Sequence, residues 1–379
     1  MRRPEASRAA KPRLANLGLA ALLLIPLLTL GACAPRLAPP GPGLAATGLT
    51  AAAFTEAAFV TADGTALPLR SWQPEDGEPR GVVLALHGFN DYSHAFAESG
   101  PALAAKGLLV YAYDQRGFGE APHRGFWAGT DVLTGDLGEA AALLRHRHPG
   151  LPLYLLGESM GGAVILAALA RPDAPPAVTG ADGVILAAPA VWARSTMPFH
   201  QRAALWLGAR LFPWAKFTGR GLGIQASDNI EMLRALGRDP LFIKETRTDA
   251  IYGLVNLMDA ALASAPKVET PALLLYGEKD EVVPAEPVMA FWRGLPPGTA
   301  AQTPARRRFA LYREGWHMLL RDLQAQTVID DIAAWTRDRA APLPSGAEET
   351  AAAALEGEDG AGKAAGDETA ATACDAAAC

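Results

Sequence analysis

Apolar runs and polar stretches alternate along the middle of this chain, and the runs have the length of strands. The central runs are continuously apolar, which is typical of strands buried on both faces of a parallel sheet. The predicted strands cover residues 57–61, 68–72, 81–87, 108–113, 152–156, 183–187, 272–276 and 309–312. Predicted helices lie between them, at residues 95–106, 132–147, 160–170 and 323–339. This alternation predicts an α/β fold: a mostly parallel eight-stranded sheet with helices on both faces.

The alternation breaks once, over about 80 residues between the sixth and seventh predicted strands. A simple connection between strands needs far fewer residues. The first half of this insertion is rich in tryptophan and phenylalanine. Such residues suit either amphipathic helices packed on the core or a helical cap over an apolar pocket. We predict one domain at 51–340, with a cap insertion at about 190–268.

Gly157-Glu158-Ser159-Met160-Gly161-Gly162 is the most informative motif in the chain. It lies between a predicted strand and a predicted helix, and strand, G-x-S-x-G turn and helix together form a nucleophile elbow. Gly157 and Gly161 are needed because a Cβ at either position would collide with the neighbouring strand or helix. The alternative is a glycine-rich turn that happens to contain a serine.

An acid and a histidine follow this serine in the chain order that an elbow requires. Asp280 comes just after a predicted strand, where ligand sites cluster in open α/β sheets. Glu278 and Glu281 are neighbouring acids, but the pattern Gly-x-x-Asp-x-x-Val-Pro favours Asp280. His317 follows the last strand, and it is the one histidine beyond Asp280 in the sequence. The catalytic prediction is therefore Ser159, Asp280 and His317.

His87, Gly88 and Phe89 follow an earlier strand, at the position of an oxyanion loop. We expect the backbone N–H groups of Phe89 and Met160 to form the oxyanion hole. His87 is expected to orient this loop rather than transfer protons. In this scheme Ser159 attacks an ester carbonyl, so no metal ion or organic cofactor is required.

The first 32 residues predict a secretory signal, with basic residues before an apolar run. The run ends at Leu-Gly-Ala-Cys33, which resembles the lipobox of bacterial lipoproteins. The resemblance implies cleavage before Cys33 and its lipidation; an uncleaved anchor or another cleavage site is the alternative. Residue Ala34, rather than aspartate, follows the cysteine, which favours the outer over the inner membrane of a bacterial envelope. Residues 33–50 are rich in Pro, Ala and Gly and predict a flexible tether.

The far end of the chain, residues 341–379, predicts a disordered tail. It is rich in Ala and Gly and carries eight acidic residues against one lysine. Cys374 and Cys379 lie there, either as a disulfide or as free thiols. The whole chain has a net charge of −6, so no basic excess indicates a nucleic-acid partner. The sequence leaves the oligomeric state open.

Taken together, the motifs resemble the monoacylglycerol lipase and lysophospholipase family of α/β-hydrolases, which is related to serine aminopeptidases. The resemblance covers about residues 59–335 and rests on the loop at His87, the elbow at Ser159, Asp280 and His317, with Asp114-Gln115-Arg116-Gly117-Phe118-Gly119 as a further match. It implies hydrolysis of a small-molecule ester that carries one long acyl chain, admitted through the cap. One departure is Phe89-Asn90-Asp91-Tyr92, where many family members have Gly-Glu-His after the His-Gly; it leaves recognition of glycerol open.

Three functional hypotheses follow from the sequence. The first is a lipid-anchored carboxylic ester hydrolase that cleaves monoacylglycerol or lysophospholipid. The second is a general short-chain carboxylesterase, or an acyltransferase that uses the same acyl-enzyme. The third is a non-catalytic envelope scaffold that retains a hydrolase fold.

Overall fold

A computed structural model describes residues 35–219, 221–296 and 307–355 of the chain. The predicted signal peptide, Cys33 and residues 356–379 lie outside these described residues. Within the described ranges, no helix combines the length and the apolarity that crossing a bilayer demands.

The central sheet has nine strands in the described part of the chain, in the spatial order β1-β2-β3-β5-β4-β6-β7-β10-β11. From β5 to β11 all neighbours are parallel, whereas β1, β2 and β3 form an antiparallel edge. The strands are β1 Ala53–Phe54, β2 Ala58–Val60, β3 Ala66–Trp72, β4 Gly81–Leu86, β5 Leu108–Tyr113, β6 Leu153–Glu158, β7 Gly183–Ala187, β8 Lys216–Phe217, β9 Thr246–Arg247, β10 Ala272–Gly277 and β11 Arg307–Tyr312. The predicted mostly parallel sheet is confirmed, with one more strand than the eight predicted. The additional strand, β1, has only two residues and therefore carries no alternating pattern.

Helices cover both faces of this sheet. The α-helices of the described ranges include α1 Ser99–Ala104, α2 Thr130–Arg147, α3 Met160–Leu169, α4 Pro176–Thr179, α5 Phe199–Leu211, α6 Ile230–Arg238, α7 Thr248–Ala263, α8 Ala285–Gly294 and α9 Ala325–Arg337. Short 3-10 helices occupy Leu44–Ala46, Ser93–Phe96 and Ala265–Lys267. The α2, α3, α7 and α8 helices share one apolar core, and α1 and α9 share the other. Leu84 and Val83 on β4 point into different cores, which explains why the central strands are apolar throughout.

The insertion between β7 and β10 is helical, but its last helix does not belong to a cap. Met258 and Ala261 of α7 are buried in the core that α3 shares. The cap is therefore α5, α6 and the two-stranded ribbon of β8 and β9. The predicted range of about 190–268 extended too far because α7 is as apolar as the cap segment before it.

The predicted flexible tether is wrong for its described part, because residues 35–50 lie against the domain. The Ala38 N–H donates to the Trp127 carbonyl at 2.8 Å, and the Gly41 N–H donates to Asp63 Oδ2 at 2.8 Å. A sequence rich in Pro, Ala and Gly lacks a periodic apolar face, but its backbone still hydrogen-bonds to partners that the fold supplies.

The predicted disordered tail is wrong for residues 341–355, which the structure describes. Leu343, Ala347 and Ala351 are buried, and residues 347–355 are helical. Leu343 and Ala347 pack in the core that covers α9, and Ser345 Oγ donates to Asp331 at 2.5 Å. The small apolar residues of this segment cover a surface that only the folded domain presents.

Candidate active site

Ser159 lies at the turn between β6 and α3, as the motif predicts. Its backbone has φ 51° and ψ −112°, a conformation that non-glycine residues rarely adopt. The surrounding structure holds this turn: the Ser159 N–H donates to the Ala187 carbonyl at 2.9 Å, and the Ser159 carbonyl accepts from Ala190 N–H at 3.0 Å. The strain presents the serine side chain at the carboxyl end of the sheet.

Two glycines make this turn possible by letting its backbone approach its neighbours closely. A Cβ on Gly157 would stand 2.3 Å from the Gly162 nitrogen in α3. A Cβ on Gly161 would stand 2.1 Å from the Leu86 carbonyl oxygen at the end of β4. Both obstacles are backbone atoms in the middle of the fold, so a side chain here requires the helix or the sheet to move.

We expect Gly161→Ala to destabilise the protein by about 3 kcal/mol or more, the upper part of the range for overpacking a closely packed interior. Gly135→Ala is the matched control, because a Cβ at this exposed helical position meets nothing within 4 Å. The control should be neutral or slightly stabilising, since alanine favours a helix by up to about 1 kcal/mol over glycine. Urea unfolding of both variants measures the difference, and equal free energies of unfolding would contradict the packing assignment.

Asp280 and His317 lie 37 positions apart in the sequence and form a direct pair in the structure. His317 Nδ1 donates to Asp280 Oδ2 at 2.8 Å. Asp280 Oδ1 accepts the backbone N–H groups of Val282 at 2.8 Å and Val283 at 2.9 Å, which fixes the carboxylate. The aspartate side chain is fully buried, and 7% of the histidine side chain is exposed. The pair predicted from chain order is therefore present, whereas Glu278 and Glu281 are exposed.

The pKa of His317 lies above its usual value, although burial by itself would lower it. The negative charge of Asp280 and its hydrogen bond favour the protonated ring, and Glu158 adds a smaller effect in the same direction. Arg321 opposes them. The environment of His317 therefore stabilises the imidazolium, the form that the ring takes after it accepts a proton.

His87 has the contacts of a residue that positions a loop. Its ring is fully buried; Nδ1 donates to the Gly88 carbonyl at 2.8 Å, and Nε2 accepts the Gln115 N–H at 2.9 Å. Burial lowers the pKa of His87, so the ring is neutral with one fixed tautomer. In the described part of the chain, no protein acceptor takes the backbone N–H of Phe89 or of Met160.

A buried ion cluster behind Ser159 is a feature that the sequence reasoning missed. Arg321 contacts Asp91 Oδ2 at 2.7 Å and Glu158 Oε1 at 3.1 Å, and all three residues are buried. Burial lowers the pKa of Arg321, but the two carboxylates outweigh it and raise the pKa above its usual value. The available signal was an arginine four residues after His317 and an acid directly before Ser159.

The loop that carries His317 and Arg321 also binds the cap. Ser227 Oγ donates to Asp322 Oδ1 at 2.6 Å, and Asp322 Oδ2 accepts the Trp316 N–H at 2.8 Å. The Met318 N–H donates to the Ala226 carbonyl at 3.0 Å. Burial raises the pKa of Asp322 to about 6. Hydrogen bonds therefore connect the loop around His317 with the cap segment before α6.

A cavity of about 490 Å³ joins these groups, with Ser159 and His317 in its wall. Its volume lies in the range of small-molecule sites. Most of its lining is apolar and comes from the cap and from α7, as shown by Met197, Leu205, Ile251, Leu254, Val255 and Met258. The polar lining lies near the serine and includes Asn90, Asp91, Glu158 and Arg321. Among the described residues, no group of three or more His, Cys, Asp or Glu side chains is arranged to hold a metal ion.

The sequence profile of the serine aminopeptidase S33 family matches residues 77–324, which include the whole cavity wall. The chain belongs to this family. As an S33-family protein it is an enzyme of the serine hydrolase class, and the resemblance drawn from its motifs is confirmed.

Relatives of this S33-family chain include monoglyceride lipases. The monoglyceride lipase of Rattus norvegicus is 27% identical over 291 residues, covering 74% of this chain and 90% of that protein. The monoacylglycerol lipase of Mycolicibacterium smegmatis is 27% identical over 283 residues, covering 70% and 90%.

Solved structures show the same fold. A soluble variant of the Saccharomyces cerevisiae monoglyceride lipase, in complex with a substrate analogue, superposes with a TM-score of 0.62 at 21% identity. The match covers 80% of this chain and all of that one. The Paleococcus ferrophilus monoacylglycerol lipase gives 0.59 at 20% identity, covering 72% and 99%. The fold is the α/β-hydrolase fold.

Proposed function

We propose that this chain is a carboxylic ester hydrolase that cleaves monoacyl lipids, such as monoacylglycerol or lysophospholipid, through an acyl-enzyme on Ser159. One observation carries the proposal: the serine at the strained turn and the histidine paired with Asp280 open on a single apolar cavity. An apolar cavity with few polar groups near the reactive serine suits a long acyl chain with its ester at the polar end. The names of the curated relatives support the same substrate class.

In the proposed mechanism, His317 takes the proton of Ser159 as the hydroxyl attacks the ester carbonyl. Asp280 holds the ring with Nδ1 protonated, so that Nε2 is free to accept the proton. The backbone N–H groups of Phe89 and Met160 stabilise the oxyanion; one such donor contributes about 3 kcal/mol. His317 then protonates the leaving alcohol. In the second half of the reaction His317 takes a proton from water as the water attacks the acyl-enzyme, and it returns this proton to the Ser159 oxygen as the fatty acid leaves.

Activity should depend on pH through His317, because the general base must be neutral to accept a proton. Its pKa lies above the ordinary value of 6.5, so kcat/KM should fall as the pH drops through a midpoint above about 6.5. Asp280→Asn removes the charge that raises this pKa and should move the midpoint to lower pH. A midpoint below 6 in the wild type, or one that Asp280→Asn leaves in place, would contradict the assignment.

A series of p-nitrophenyl esters of rising acyl length tests the substrate class. We expect kcat/KM to rise with chain length, since each buried CH₂ contributes about 0.8 kcal/mol at most. Leu254→Trp, which fills the cavity wall, should shorten the preferred chain, whereas Leu323→Trp at an exposed position should not. Highest activity on acetyl or butyryl esters would favour the general esterase, and acyl transfer to added glycerol would favour the acyltransferase.

We also propose that Cys33 is lipidated and anchors the enzyme in a bacterial envelope membrane. The support is the small-residue sequence before Cys33, at the end of an apolar run. Stable anchoring then requires more than one acyl chain or a second membrane contact. Cys33→Ala should release the protein from the membrane fraction, and unchanged fractionation would refute lipidation.

A further inference from the structure

The start of the described chain is held at one place on the domain. The Arg36 N–H donates to Asp249 Oδ2 at 3.3 Å, two residues before the bond from Ala38 to the Trp127 carbonyl. Cys33 precedes Arg36 by three positions in the sequence, and three steps of extended chain span at most about 11 Å. A lipid on Cys33 would therefore leave the protein close to Asp249.

Asp249 also contacts the cap and a residue that lines a second cavity. Arg247 Nε donates to Asp249 Oδ1 at 2.9 Å, and the Asp249 N–H donates to the Pro213 carbonyl at 3.1 Å. Arg247 lines a cavity of about 670 Å³ between the β8–β9 ribbon and the loop before α2, away from Ser159. Its guanidinium lies over the Phe126 ring, 4.4 Å from the centroid.

The lining of this second cavity is basic. Four cationic residues, Arg124, Lys216, Lys244 and Arg247, face one acid, Glu245. Asp249 neutralises Arg247, whereas Arg124 and Lys244 donate to backbone carbonyls. Lys216 is exposed and pairs with no carboxylate in the described part of the chain. A concave site with uncompensated cations attracts an anion.

The surface beside this cavity is apolar and exposed. Phe217 lies between two lining residues and is 58% exposed, and Phe212 and Trp214 just before it are exposed to a similar extent. On α5, Leu205 faces the active-site cavity while Phe199 and Trp206 face outward. Exposed aromatic groups of this kind mark a contact with another phase or protein.

The cap segment of residues 193–227 carries a net positive charge, opposite in sign to that of the whole chain. Residues 193–227 contain five basic residues and no acid, whereas the chain has a net charge of −6. Basic residues combined with tryptophan, phenylalanine and leucine are typical of segments that lie in the interface of an anionic bilayer.

We propose that the basic cavity binds the phosphate group of an anionic phospholipid in the leaflet that carries the lipid on Cys33. The exposed aromatic side chains of the cap enter the same interface beside it. The occupant is the bilayer itself, because the short stretch from Cys33 to Arg36 holds this face at the membrane surface. The phosphate contact is a second membrane contact beside the lipid on Cys33. The proposal rests on lipidation of Cys33 and not on the reaction at Ser159.

The test uses the full mature chain in a background with serine at Cys374 and Cys379. A dye on Gly219→Cys reports proximity to the bilayer, since a side chain at this position meets nothing within 4 Å and lies two residues from Phe217. A dye on Arg147→Cys, at the far end of α2, is the matched reference. Vesicles contain phosphatidylcholine alone or with about a third phosphatidylglycerol, the anionic component that basic residues recognise, together with a quencher-bearing lipid.

We expect quenching at position 219 in the anionic vesicles, weak quenching in phosphatidylcholine, and none at position 147. Lys216→Glu with Lys244→Glu should lower the docking equilibrium constant by at least about 20-fold, a factor of about five for each basic side chain lost. Lys267→Glu with Arg313→Glu makes the same charge change at exposed positions elsewhere and should leave quenching intact.

Equal quenching in both vesicle types, or equal loss in the control pair, would overturn the proposal. Stabilisation of the protein by inorganic phosphate without any quenching in anionic vesicles would indicate a site for a soluble phosphate and would also overturn it. Co-flotation with phosphatidylcholine vesicles reads the lipid anchor separately. Ester hydrolysis in detergent measures the reaction at Ser159. Loss of the lipid anchor or of hydrolysis is thereby distinguished from failure of the cavity to dock on the bilayer.

Discussion

Replacing Ser159 by alanine is expected to lower kcat for ester hydrolysis by about 10⁵-fold or more, the scale seen when a serine nucleophile is removed. In the proposed mechanism the hydroxyl oxygen forms the covalent bond of the acyl-enzyme, and Ser159 is the residue of the elbow that is held at a positive φ. Alanine keeps the Cβ, so the backbone at φ 51° is under the same constraint and the fold should persist. Rates on a long-chain ester, and labelling by a fluorophosphonate probe, measure the effect.

Ser195→Ala is the control for this experiment, because Ser195 is exposed and has no place in the cavity wall. It should keep wild-type labelling and activity. Labelling that survives in Ser159→Ala would place the nucleophile elsewhere. A folded wild type that neither labels nor hydrolyses would favour the non-catalytic scaffold.

Replacing Asp280 by asparagine is expected to lower kcat by roughly 10⁴-fold, because it imposes the wrong tautomer on His317. The N–H groups of Val282 and Val283 both donate to one carboxylate oxygen, so the asparagine must place its own oxygen there. Its NH₂ group then faces His317 Nδ1, 2.8 Å away in the wild type. The neutral His317 ring then carries its proton on Nε2, and this nitrogen cannot accept the proton of Ser159.

Glu278→Gln and Glu281→Gln are the matched controls for Asp280→Asn. Both residues are acids in the same loop, and both are exposed. Each should keep its activity within about twofold, since surface substitutions have small effects. An equal loss of activity in either control would contradict the assignment of Asp280 as the carboxylate that orients His317.

Much of the site could be predicted because its parts are local. The turn at Ser159 needs a strand, two glycines and a helix within a few residues, and each leaves a direct mark in the sequence. Asp280 and His317 follow apolar strands, and the parallel order of β10 and β11 brings their carboxyl ends together. Chain order was therefore enough to pair two residues 37 positions apart.

The ion cluster of Asp91, Glu158 and Arg321 could not be predicted in the same way. Its members come from three separate segments, and each residue taken alone is an ordinary surface type. Only the burial of all three makes the pairing obligatory, because an isolated buried charge is costly. The same holds for Asp322, whose partner Ser227 lies 95 positions away in the cap.

The sequence by itself determined the sheet, the turn and the three candidate catalytic residues, since these depend on apolar periodicity, on glycine and on order along the chain. The tertiary structure decided what contacts the weakly patterned segments. Residues 35–50 and 341–355 have no periodic apolar face, yet the first is bound by backbone hydrogen bonds and the second covers α9. Such contacts depend on surfaces that exist only after folding, and for that reason only the structure could place residues 36–38 beside the basic cavity.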